Sequence, residues 1–155
     1  MIKSNTARNI LIILLLFLGL GAIGGGALLI VSPKGKLIGM PLRMLKNSHF
    51  DSFLIQGVIL FTLLGLAPCL LVVALVKKPK SSLAEKFNFC GDMHWAWTYS
   101  IYLAFVLIIW IQLEMVFIQA VSWLHTFYMF FSIVIILTAL LPRVRNLYKI
   151  KLLEK

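Results

Sequence analysis

Glu114 interrupts the apolar run Trp110-Ile111-Gln112-Leu113-Glu114-Met115-Val116-Phe117, and a carboxyl in such a setting has few chemical uses. It accepts a proton, or it binds a basic or headgroup moiety. An ionisable side chain at membrane depth costs roughly 3 kcal/mol on insertion scales, so it faces a partner or a wet cavity. Other polar residues fall at the same level of the chain: Gln56, His125, and Arg43, His49 and Asp51 in the segment after the first apolar run. Gln112 and Gln119, at i and i+7, share one stripe of a helix, and Glu114 lies on another side of it. A single pocket holding all of these groups is therefore not expected.

Two readings of this cluster stay open. In one, it is a small polar site opening outward or sideways, with His125 or His49 assisting Glu114. In the other, Glu114 carries a proton in lipid or is locked to Arg43 or His125, stapling the loop over the helices. A carboxylate with one partner is more commonly a staple than a catalyst, and no catalytic residue is assigned. Metal chemistry lacks its ligands: His49, His94 and His125 lie apart, and there is no HExxH motif. Cys69 and Cys90 stand singly, without a CxxC redox pair. No cofactor is implied either, because the Gly24-Gly25-Gly26 run lies inside an apolar segment and not in a phosphate-binding loop.

The elements that must carry these residues are membrane helices. A chain of 155 residues with 61% hydrophobic and 13% charged side chains, and a mean hydropathy of +1.00, is too apolar to cover itself in water. A span needs about 20 apolar residues. Four stretches qualify, at approximately 10–31, 53–76, 97–119 and 123–141, giving an all-α four-helix bundle in a single membrane domain over residues 1–155. The first stretch exceeds the apolar core of a signal peptide and reads as a retained anchor.

Eleven of the fifteen Lys and Arg residues flank the spans on the side of the two termini, against four in the first loop and none in the third. The positive-inside rule then puts both termini in the cytoplasm. The net charge of +10 follows from this bias and from anionic headgroups, worth about 1 kcal/mol per cation, so no nucleic-acid partner is implied. Trp95 and Trp97, and Trp123, Phe127 and Tyr128, form the two aromatic belts.

Gly21 and Gly25 form a GxxxG with Ala22 and Gly26 beside it, a face expected to pack on another span, a second copy or a partner protein. Pro41, Leu42, Met44 and Leu45 suggest a short outer interfacial helix, with a plain connecting loop as the alternative. Pro68 should kink the second span. Val144, Leu147, Tyr148 and Leu152 give the tail an amphipathic, interfacial spacing. No internal repeat supports an inverted-repeat transporter.

The segments Ser32-Pro33, Gly39-Met40-Pro41, Ser48-His49-Phe50, Phe53, Gln56-Gly57 and Ser122-Trp123-Leu124 resemble those of small four-span bacterial membrane proteins of uncharacterised activity. Where that family has proline after the serine, this chain has His49. The resemblance implies a multi-pass protein of the bacterial inner membrane and supplies no catalytic residues. The expected function is non-enzymatic binding of a lipid or a membrane-protein partner. Alternatives are a small oligomeric transporter or channel using Glu114, or a membrane enzyme acting on lipid or isoprenoid substrates through Glu114, His125, His49 and Asp51.

Overall fold

In lipid, a backbone can satisfy its polar groups only within its own segment, so long apolar runs close as helices. In the computed structural model, which describes residues 4–40, 42–45 and 50–150 with the backbone alone at Ser4 and Arg43, four runs do so. They are α1 (Ser4–Val31), α2 (Leu54–Lys77), α4 (Trp95–Ile118) and α5 (Trp123–Leu140), each long and apolar enough to cross a membrane. Two short helices complete the order, α3 (Ser82–Lys86) and α6 (Pro142–Tyr148). The described residues contain no strand beyond one isolated bridge, Met93 to Lys149. The chain is an all-α, multi-pass membrane protein.

Boundaries fall within a few residues of those expected except at α1, which begins at Ser4. Ala7 and Leu11 are fully buried there, where α1 packs on α6, so tertiary contact extends the helix past its apolar core. Within α2, residues Leu60–Leu66 form a π-helical segment. Pro68 has no N–H to offer the Leu64 carbonyl and its ring crowds that turn. The wider π turn just before it absorbs the mismatch, which is the form the expected kink takes.

α1 and α2 touch backbone to backbone. A Cβ placed on Gly26 would lie 2.7 Å from the Phe61 nitrogen and 2.8 Å from the Gly57 oxygen. One on Gly19 would lie 2.7 Å from Cys69 Sγ, and one on Gly65 would lie 3.1 Å from the Ile23 nitrogen. The close approach therefore runs through Gly19 and Gly26 against Gly57 and Gly65. Of the expected packing set, Gly26 belongs to this seam and Ala22 is buried. Gly21 and Gly25 do not: a Cβ there meets only the Tyr128 hydroxyl at 3.7 Å or Leu60 Cδ2 at 3.5 Å. At about 100° per residue they lie on other sides of α1 from Gly19 and Gly26, and a Cβ there meets side chains of α5 and α2 instead of backbone.

At the loop end of the molecule, the segment after α1 folds as two 3-10 turns, Lys36–Ile38 and Leu42–Leu45. Gly35 and Gly39 have φ of 71° and 68°, a region that favours glycine, and let the chain reverse so that Met40 N donates to Gly35 O. Pro41 lies outside the described residues. Leu45 packs with Leu29 and Phe53 in a small apolar cluster. The apolar side chains at Leu45 and Met44 thus meet protein while Leu42 is exposed, and the segment covers the helix ends as 3-10 turns.

The terminal end is closed by reciprocal capping. Pro79 cannot donate to the Leu75 carbonyl, and the buried Tyr148 hydroxyl donates to it instead at 2.7 Å. Lys78 Nζ donates to Leu147 O at 2.6 Å and lies 4.7 Å from the centre of the Tyr148 ring. Trp97 Nε1 donates to Ala139 O at 2.8 Å, in the last turn before Pro142. The tail up to Ile150 is therefore docked on protein through Val144 and Tyr148; Lys151 and Leu152 lie outside the described residues. Burial pushes the Tyr148 phenol up to about 12 from its ordinary 10, with Arg8 acting in the opposite direction. Because the folded value exceeds the unfolded one, the neutral phenol stabilises the fold fully below pH 10, and that stabilisation is lost as pH rises from about 10 to about 12. Tyr148→Phe should cost about 1–3 kcal/mol at neutral pH, from the carbonyl left unpaired, and should shrink the alkaline loss of stability in thermal melts in detergent.

Candidate functional site

Backbone contact between α1 and α2 on one side, and side-chain-free Gly21 and Gly25 on the other, leave space between α1, α2, α4 and α5 towards the loop end. A cavity of about 450 Å³ occupies it, within the about 300–1,000 Å³ range of small-molecule sites. Its walls are chiefly apolar, including Leu18, Ala22, Leu64, Leu107 and Ile111, and Ile38, Met40 and Met44 of the loop cover it. Its polar groups come from Glu114 on α4 and from Ser122, His125 and Tyr128 around the start of α5. No lysine or arginine occurs among the described lining residues.

The start of α5 fixes His125. Ser122 is the N-cap, its backbone carbonyl accepts the His125 N–H at 3.1 Å, and His125 Nδ1 accepts the Ser122 backbone N–H at 3.0 Å. Histidine fills the place glutamate or glutamine takes in a capping box. With Nδ1 acting as acceptor, the hydrogen of the neutral ring sits on Nε2. Nε2 lies 3.9 Å from Glu114 Oε2. That separation is too long for a direct hydrogen bond. The Ser122 hydroxyl lies 3.4 Å from Nδ1, but the lone pair of Nδ1 is already engaged by a backbone donor, so this is a cap and not an activated nucleophile.

Gln56 is the second polar element. It is 6% exposed, and neither its amide nitrogen nor its amide oxygen has a partner among the described residues. It lines a recess of about 10 Å³ together with Leu45, Phe53, Phe117 and Glu114. Leu29, Met40, Glu114 and Ile118 line both this recess and the main cavity, so the two adjoin. The chain shows elsewhere what a satisfied amide looks like: Asn88 donates to Glu85 and to the Met93 carbonyl, and accepts from Thr98 and the Cys90 N–H.

Of the residues expected to form a polar site, the structure brings together Glu114, His125 and Gln56. Gln112 is exposed, with its amide 4.0 Å from Met129 Sδ, and the exposed Gln119 ends α4 in a left-handed conformation at φ 50°. Neither lines the cavity, nor does the exposed Asp51. His49 lies outside the described residues, and Arg43 is described only by its backbone in the second 3-10 turn. Tyr128 and Ser122 were not singled out as polar-site residues, and Gly21 and Gly25 were expected as packing residues, not as lining of a cavity. Tyr128 follows His125 by one turn, and Ser122-x-x-His125 has capping-box spacing, so both signals were present in the sequence. Among the described residues there is no group of three or more metal-ligating side chains.

No protein-family model, curated protein or solved structure matches this chain.

An unpartnered buried amide costs stability, whereas a capping imidazole adds it. In lipid-stripped protein, Gln56→Leu should leave the melting temperature unchanged or raise it, because an apolar group of similar size removes the desolvation penalty. His125→Leu should lower stability by about 0.5–2 kcal/mol through loss of the cap. A marked fall in melting temperature for Gln56→Leu would mean that its amide is satisfied within the protein.

Proposed function

We propose that this protein is a non-enzymatic lipid-binding membrane protein, which holds the hydrocarbon chain of one amphiphile between its helices with the polar end at Glu114 and His125. The observation that carries this reading is the cavity of about 450 Å³, apolar over most of its wall and polar at Glu114, Ser122, His125 and Tyr128. An apolar wall with a few convergent polar groups is the usual make-up of a small-molecule site. Leu107 lies seven residues, or about 10 Å, deeper along α4 than Glu114, and Leu18 and Leu64 line the same deep part. That apolar floor favours holding a chain over conducting an ion. The charge bias favours an orientation with both termini in the cytoplasm, the polar pair then lying towards the outer leaflet of a bacterial inner membrane.

Gly21 and Gly25 supply the test, because both line the cavity and a Cβ added at either has no backbone atom outside its own helix among its contacts within 4 Å. Native mass spectrometry of protein extracted with its own lipids should find one retained amphiphile in the wild type. Gly21→Leu with Gly25→Leu should remain folded and lose at least tenfold in occupancy. Gly26→Leu should instead disrupt the α1–α2 contact and the fold. Equal lipid retention in wild type and the filled double variant would sink the reading.

A further inference from the structure

The cavity accounts for a hydrocarbon chain but leaves the chemistry of its polar end open, and the recess beside it supplies that information. Gln56 is nine-tenths buried, lies in the first turn of α2 and has an unpartnered donor and an unpartnered acceptor at the recess. A buried primary amide left in this state costs free energy that an apolar residue would avoid, so a group that enters and pairs with it gains what folding gave up. Glu114 lines the same recess, and His125 Nε2 stands 3.9 Å from its Oε2.

Three physical constraints narrow the group. The recess measures about 10 Å³, close to the least space that takes one water-sized group, so a phosphate or choline headgroup does not fit. Gln56 requires both a donor for Oε1 and an acceptor for Nε2; a hydroxyl supplies both, whereas an ammonium supplies donors only. A carboxylate or phosphate would bring a second negative group beside Glu114, with no described lysine or arginine in the lining to offset it.

We propose that the recess between Gln56 and Glu114 takes the terminal hydroxyl of a neutral long-chain alcohol, its chain lying in the adjoining apolar cavity. This rests on the lipid-binding reading above and specifies the ligand class: single-chain alcohols, including prenols, in preference to phospholipids and fatty acids. Gln56 Oε1 accepts the hydroxyl hydrogen and its Nε2 donates to the hydroxyl oxygen, while Glu114 borders the group from α4.

The test uses three probes with the same chain: oleyl alcohol, its methyl ether and oleylamine, each titrated onto lipid-stripped full-length protein in detergent and read by native mass spectrometry. The alcohol should bind wild type at least tenfold more tightly than the ether, about 1.4 kcal/mol, and more tightly than the amine. Gln56→Leu should weaken alcohol binding and bring alcohol and ether to within about twofold of each other. Equal affinity of alcohol and ether in wild type, or an alcohol preference that survives Gln56→Leu, would overturn the hydroxyl assignment while leaving chain binding intact. An amine that binds as tightly as the alcohol would overturn it in favour of recognition by charge. Failure of every probe to bind wild type would overturn the lipid-binding reading itself.

Discussion

Peptide groups of α1 and α2 approach one another because side chains are missing at Gly19, Gly26, Gly57 and Gly65, where added Cβ atoms would fall about 3 Å or less from neighbouring atoms. In lipid there is no hydrophobic drive to press helices together, so van der Waals contact over such small residues is what holds a pair. The remaining architecture follows from this seam. With α1 drawn to α2, its other side faces α4 and α5 across Gly21 and Gly25, which contribute nothing to fill the gap. A packing device on one face and a missing volume on the other are therefore two consequences of one glycine-rich helix.

The ends of the bundle are treated differently. At the terminal end Tyr148 donates to the Leu75 carbonyl that Pro79 leaves open, and Trp97 donates to the Ala139 carbonyl at the end of α5. Asn88 uses all four of its hydrogen-bonding positions. At the loop end a buried amide has no partner and a carboxyl and an imidazole stand 3.9 Å apart. Unspent hydrogen-bonding capacity gathered beside an apolar cavity is what the proposed binding site rests on, since a bound group would complete it.

The four spans were legible because length and unbroken apolarity leave lipid as the only solvent for such segments. The seam was less so. Among Gly19, Gly21, Gly24, Gly25 and Gly26, the i, i+4 pair Gly21–Gly25 carries the familiar spacing, yet Gly19 and Gly26, at i and i+7, face α2. Spacing defines faces but does not say which partner each face meets. The tail shows the same limit: Val144, Leu147 and Tyr148 have a readable helical spacing, and only the missing N–H of Pro79 explains why Tyr148 turns into protein. Glu114 and His125 were visible as chemistry by residue type. Gln56 was visible as a polar residue near a helix start, but its burial depends on the fold of the segment carrying Leu45 and Phe53, which no local pattern specifies.

The central claim is that a lipid chain occupies the interior beside Gly21 and Gly25 and does not merely coat the surface. Photolabelling tests this most directly, using a long-chain alcohol that bears a diazirine midway along its chain and mapping the labelled residues by mass spectrometry. The account predicts labels at Leu64, Leu107 and Ile111 that an excess of unlabelled alcohol removes. Labels confined to outward-facing residues such as Leu20, Leu70 and Ile109, unaffected by competitor, would contradict it.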